Sequence, residues 1–150
     1  MAVLRKWMAL LWCGAGAVGA AEPPAIADAW IRATPPGART GAAYLTITSR
    51  GADDRLLGAA TPAAATVEIH THVVEGAMSR MVRLPDLGLP AGESVKLEPG
   101  GMHLMLLEIK APLAAGTTVA VTLHFATAGA VELEVPVVDA RAGAMSPARH

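Results

Sequence analysis

The amino-acid sequence predicts an all-β domain, a β-sandwich or Greek-key barrel. Three observations predict it: apolar and polar residues alternate over short runs, turn residues separate those runs, and no segment sustains a helical period. With 53% apolar but only 3% aromatic residues, its core has to be built from Val, Leu, Ile and Ala. A length of 150 residues suits one domain and is short for two.

The expected strands follow in order. Residues 26–34 (IADAWIRAT) stop at Pro35-Pro36-Gly37, residues 40–49 stop near Gly51, and residues 55–60 end at Thr61-Pro62. Residues 66–74 (TVEIHTHVV) run into Glu75-Gly76, and residues 78–84 follow until Pro85. Pro90-Ala91-Gly92 and Pro99-Gly100-Gly101 bracket residues 94–97, and then come 102–109, 117–126 and 130–137. Nine short strands at this spacing fit a sandwich or barrel. The clearest alternation sets Val119, Val121, Leu123 and Phe125 toward the core and leaves His124 as an exposed strand histidine. The segment 140–150 (ARAGAMSPARH) has no period and reads as a flexible tail.

The leader reads as a secretory signal over residues 1–21, which leaves 22–139 as the domain. Arg5 and Lys6 precede a run of about a dozen apolar residues, below the roughly 20 needed to span a bilayer, and small residues end it at Ala20 or Ala21. Cleavage with no stable membrane insertion is the expectation; an uncleaved anchor and a lipoprotein are the alternatives. Lipidation at Cys13 is disfavoured because the bulky Trp12 precedes it. Cleavage after Ala21 removes Arg5, Lys6 and the one cysteine, leaving 10 basic against 13 acidic residues, a charge of −3. Without a basic surplus, and with one Phe and one Tyr, nucleic-acid binding is excluded as an expectation. Without cysteine, so are an internal disulfide, a thiol redox pair and a multi-Cys zinc site.

Four of the five methionines beyond the leader fall between positions 78 and 105, near His70, His72 and His103. On a strand His103 and Met105 share one face, with Cα atoms roughly 6.5 Å apart, so their side chains can meet at one ion. In 66–74 the apolar set is Val67, Ile69 and Val73, which places Glu68, His70 and His72 on the other face, turned away from the aliphatic core. The turn at Glu75-Gly76-Ala77 folds Met78 and Met81 back toward His70. Imidazole and thioether carry no negative charge, and thioether sulfur favours Cu(I) over hard cations. Calcium and magnesium want more carboxylates than Glu68 and Glu75 supply, zinc seldom uses Met, and a blue-copper site needs a Cys thiolate. Cu(I) without redox cycling points to carriage of the ion. Methionine needs no deprotonation to bind, so acid would weaken such a site only through its histidines.

These residues resemble the periplasmic copper A chaperones, PCu(A)C, whose signature is a His, ten residues, a Met, twenty-one residues and His-x-Met. Here His70 is followed by ten residues, Met81, twenty-one residues and His103-Leu104-Met105. Asp28-Ala29-Trp30, Ala42-Ala43-Tyr44-Leu45, Val67-Glu68-Ile69-His70 and Pro99-Gly100-Gly101-Met102 resemble family segments in order, and the resemblance spans about 26–138. It implies a cupredoxin-like barrel with an exposed Cu(I) site made by His70, Met81, His103 and Met105. It further implies a periplasmic carrier that supplies the copper A centre of cytochrome c oxidase, in subunit II, alongside a Sco-type thioredoxin-fold protein. Family members often carry Met shortly after the first His, where this chain has His72, an auxiliary ligand or a solvated residue. Met78 is an alternative or supporting ligand, and the tail, with only Met145 and His150, is too sparse for a second site.

Two other readings compete: copper buffering or resistance without a dedicated acceptor, and a metal-free interaction module. An enzyme is not expected, because no nucleophile, base and orienting group can be assembled. Asp54-Arg55 reads as a structural ion pair or turn feature.

Overall fold

A computed structural model describes residues 23–139. The leader, its cleavage site and the tail lie outside the described residues. The strands are β1 (Ala25–Arg32), β2 (Thr40–Thr48), β3 (Asp54–Ala60), β4 (Ala64–Glu75), β5 (Met78–Leu84), β6 (Leu87–Leu89), β7 (Ser94–Leu97), β8 (His103–Ile109), β9 (Thr118–Phe125) and β10 (Gly129–Val138). Nine answer to the expected runs. The tenth, β6, is a three-residue strand between Pro85 and Pro90, too short to show a period; its pairing with β3 and the burial of Leu87 and Leu89 reveal it.

Seven strands close on themselves. The hydrogen-bonded path runs β4-β8-β2-β1-β10-β9-β3, and β3 returns to β4 through Ala59 opposite Val67. Strands β5, β6 and β7 hang on β4, β3 and β2. Closure removes most of the free edges that an open sheet would expose. The first and last strands seal the ring in parallel, Ile31 beside Val137, whereas the other described pairings are antiparallel. The all-β architecture expected from the alternation, cupredoxin-like as the resemblance implies, is therefore a closed barrel, with no helix among the described residues.

Inside the ring the core is aliphatic, as the composition requires: Ile31, Ile47, Ile69, Leu104, Leu106 and Leu123 are almost wholly enclosed. Each such side chain contributes about 1.5–3 kcal/mol by leaving water. Of the aromatic residues between 23 and 139, Phe125 joins this core, whereas Trp30 and Tyr44 do not. A bulge in β1 explains Trp30. Asp28 adopts a left-handed φ of 52°, and Asp28 and Ala29 together oppose the single Leu45, so Trp30 falls opposite Tyr44. The extra residue re-aims Trp30 onto the Tyr44 ring at a centroid distance of 4.6 Å.

Asp54 and Arg55 do not pair with each other. The Asp54 carboxylate, 8% exposed, accepts hydrogen bonds from the backbone N–H groups of Arg55 (2.7 Å), Thr127 (2.8 Å) and Ala128 (3.0 Å), tying β3 to the turn between β9 and β10. Arg55 instead donates to Asp86 at 2.6 Å. Burial alone would raise the Asp54 carboxyl, but the three backbone donors prevail and hold it below the ordinary aspartate value of 3.8.

A depressed acid stabilises the fold above its unfolded value, and that stability is lost as pH falls through the folded value. Replacing Asp54 by Asn should therefore cost about 1–3 kcal/mol at pH 7, with the gap to wild type narrowing in acid below 3.8. Urea unfolding of both proteins across this range checks it; a gap that does not change with pH overturns it.

Candidate metal centre

Strand register assembles the site. Across β4 and β8, Glu68 lies opposite Met105 and His70 opposite His103; across β4 and β5, His72 lies opposite Met81. Side chains alternate with a period of two, so Glu68, His70 and His72 share one face, and their partners share it with them. The opposite face carries Val67, Ile69, Leu104 and Leu106, which fill the barrel. Of the expected set, His70, His103 and Met105 thus stand on the outer wall of the ring, and Met81 extends the same face onto β5, opposite His72.

The strand β4 outruns its neighbour. Beyond His70 it pairs only with β5, because β8 begins at His103, and residues 71–82 form a two-stranded ribbon beyond the barrel. Gly76 turns this ribbon with a φ of 61°, while Ala77 keeps a negative φ, the pattern of a type II′ turn. Met81 rides on the ribbon and is 44% exposed. Met78 pairs with Glu75, three positions from Met81 and so out of phase with it, and is 76% exposed on the opposite face of the ribbon. Met78 therefore does not share the face that carries Met81 and His72. Met102 packs against the core, facing away from His103.

Burial is graded across the site. His103 is 5% exposed, and its Nδ1 lies 3.2 Å from the carbonyl oxygen of Gly101. Donation from Nδ1–H to that carbonyl leaves the Nε2 lone pair available. The Tyr44 ring lies 6.3 Å from the His103 ring, with Trp30 behind it and the Arg32 guanidinium 5.8 Å above Tyr44. The rings of His70 and His72 lie 6.0 Å and 5.7 Å from His103. An imidazole nitrogen sits about 2 Å from a bound zinc ion, so rings at this separation can flank one ion of similar size.

A cavity of about 390 Å³ is lined by His72, Met81, His103, Met105, Tyr44 and Arg32, together with Pro35, Pro99 and Gly100. His70 does not line it. Its side chain faces away from the core, as expected, but it is 15% exposed and its Nε2 lies 2.8 Å from Glu68 Oε2, so it is held rather than free to reach outward. The His70 Nδ1 is buried without a hydrogen-bond partner.

Three neighbours cannot be recognised as parts of the site from the sequence alone. Alternation puts Glu68 on the face of His70 but says nothing of a hydrogen bond, and only the register reveals Tyr44 and Trp30. The signals are the alternation in 66–74 and the resemblance of the Asp28-Ala29-Trp30 and Ala42-Ala43-Tyr44 segments, which say nothing about contact. Among the described residues, no group of three or more His, Cys, Asp or Glu side chains is placed to hold a metal ion. The donors that fit are imidazole and thioether, a soft, uncharged set suited to Cu(I).

Burial, reinforced by the charges that His70 and His72 can carry, pushes His103 below the ordinary value of 6.5, against the opposing pull of the Gly101 carbonyl. A depressed histidine stabilises the metal-free fold above about pH 6.5, its unfolded value, and this stability is lost as pH falls through the lower folded value. A proton titration of the metal-free protein by NMR should place the His103 midpoint below 6.5; a midpoint at or above it overturns the burial argument.

Comparison with known proteins identifies the family and the fold. Residues 25–137 match a family described as "Putative lipoprotein LpqE-like". A relative from Leifsonia xyli subsp. xyli (strain CTCB07), "Putative lipoprotein Lxx21020", is 34% identical over 116 residues, covering 76% of this chain and 69% of its own. Among solved structures, Cu(I)-bound DR1885 from Deinococcus radiodurans superposes with a TM-score of 0.65 at 34% identity, covering 84% of each chain. The copper-bound PCuAC domain from PmoF2 superposes with a TM-score of 0.68 at 26% identity, covering 81% of this chain and 97% of that domain. With the family match running from β1 almost to the end of β10, the chain belongs to the LpqE-like family, and its barrel is that of the copper-binding PCuAC domains.

Proposed function

We propose that the protein is a non-enzymatic, exported Cu(I) carrier that holds the ion with His70, Met81, His103 and Met105 and acts in the periplasm after cleavage of its leader. The observation that carries this reading is the register that gathers two imidazoles and two thioethers from β4, β5 and β8 onto one outer face. The copper-bound states of two similar proteins, the PCuAC domain from PmoF2 and DR1885, support it, as does a family described as lipoproteins, whose members would be exported. Neutral donors hold Cu(I) without releasing protons from sulfur, so acid weakens the site through its histidines alone.

Hand-over proceeds by ligand exchange. An incoming donor displaces the exposed Met81 thioether while His103 and Met105, on the barrel wall, retain the ion. In this proposal the recipient is the copper A centre in cytochrome c oxidase subunit II, reached together with a Sco-type thioredoxin-fold protein.

Replacing His103 or Met81 by Ala should weaken Cu(I) binding severalfold or more while the domain stays folded. Anaerobic competition titration against a Cu(I) chelator, with circular dichroism as the folding control, tests this; unchanged affinity in both variants overturns the ligand set. Cells lacking the protein should lose oxidase activity at low copper. Cells that keep their oxidase and instead become sensitive to high copper would replace delivery by buffering.

A further inference from the structure

The His70 imidazole has an asymmetric environment. One ring nitrogen, Nε2, lies 2.8 Å from Glu68 Oε2, while the other, Nδ1, is buried without a partner. A carboxylate only accepts hydrogen bonds, so Nε2 carries the proton in this contact. A second proton on Nδ1 would be a buried donor with no acceptor, which is costly. The tautomer that leaves no buried donor unpaired places the hydrogen on Nε2 and a lone pair on Nδ1. A buried lone pair facing no donor is the group a soft cation would complete.

The carboxylate is itself held. Glu68 Oε1 lies 3.5 Å from Arg83 Nε, and Arg83 stands opposite His70 across β4 and β5, two positions from Met81. Glu68 therefore divides its oxygens between the imidazole on its own strand and a cation from the strand that brings Met81. Met105 faces it from β8. A carboxylate that receives the distal N–H of a metal-bound histidine fixes the ring's tautomer and orientation and raises its basicity.

We infer that Glu68 is a positioning residue for copper: it holds His70 in the Nε2–H tautomer so that Nδ1 is the nitrogen offered to Cu(I). The inference rests on the Cu(I) reading of the site and adds which atom binds and what orients it. His103 is arranged the opposite way, since its Nδ1 is engaged by the Gly101 carbonyl and its Nε2 is left for the ion. The two histidines thus keep different nitrogens free of hydrogen bonds, Nδ1 on His70 and Nε2 on His103.

Long-range proton–nitrogen NMR on the protein, metal-free and loaded anaerobically with Cu(I), tests this. In the metal-free wild type His70 should show the Nε2–H tautomer, and loading should shift the Nδ1 nitrogen of His70 and the Nε2 nitrogen of His103. Glu68→Ala should mix the His70 tautomers and weaken Cu(I) binding about 10- to 100-fold, with little change in the melting temperature of the metal-free protein. Glu68→Gln, whose side-chain oxygen still accepts the Nε2–H bond, should recover most of the affinity. A purely structural role would move the melting temperature and leave the tautomer alone. Copper on His70 Nε2, or a tautomer and affinity indifferent to Glu68→Ala, overturns the inference. Should Glu68→Ala fail to fold, the nitrogen shifted in loaded wild type and the Glu68→Gln titration still decide it. Should the wild type bind no Cu(I), the carrier reading fails, and the His70 tautomer in metal-free Glu68→Ala and wild type still decides whether Glu68 sets it.

Discussion

The antiparallel register of β4 against β8 is the constraint on which the rest depends. With His70 opposite His103 and Glu68 opposite Met105, the intervening Val67, Ile69, Leu104 and Leu106 point into the barrel. A slip of one residue in β4 would reverse that strand's faces, driving Glu68 and His70 into an aliphatic interior and the core residues into water. Burying a carboxylate without a partner costs far more than any single aliphatic contact returns. The same alternation that drives the barrel to close therefore specifies the site on its wall.

Around that pairing, the site divides into a fixed part and an accessible part. His103 and Met105 sit on a strand paired on both sides, with Tyr44 and Trp30 packed beside the His103 ring. Met81 and His72 sit on a ribbon that has left the barrel and pairs only with itself. Strands with fewer neighbours open more readily than strands within a closed sheet. In the proposed carrier, the donors an acceptor would displace lie on the less constrained element, and those that would retain the ion lie on the more constrained one. The absence of formal charge on the donors serves the same end, since no strong electrostatic attraction has to be overcome on release.

Much of the fold was legible because alternation and turns are local signals. The nine longer strands, the aliphatic core, the exposed His124 and the separation of Met102 from Met105 follow from a period of two and the positions of Pro and Gly. What escaped was set by partners distant in sequence. The strand at Leu87–Leu89 is too short to display a period, and the outward turn of Trp30 depends on one extra residue at Asp28, which period-counting cannot see. Met78 and Met81 look equivalent when counted as nearby methionines, yet three positions along a strand place them on opposite faces.

The sequence by itself determined the fold class, the residue types available to a ligand site and their spacing, because backbone alternation, turn chemistry and donor softness are properties of the residues and their order. Tertiary structure alone decided which of those residues meet and in what surroundings. It buried His103 while leaving Met81 in solvent, brought Tyr44 and Trp30 to the site rather than the core, and set Glu68 against one nitrogen of His70. These outcomes depend on register between strands and on barrel closure, which join segments up to the full length of the domain apart and are encoded in no local pattern.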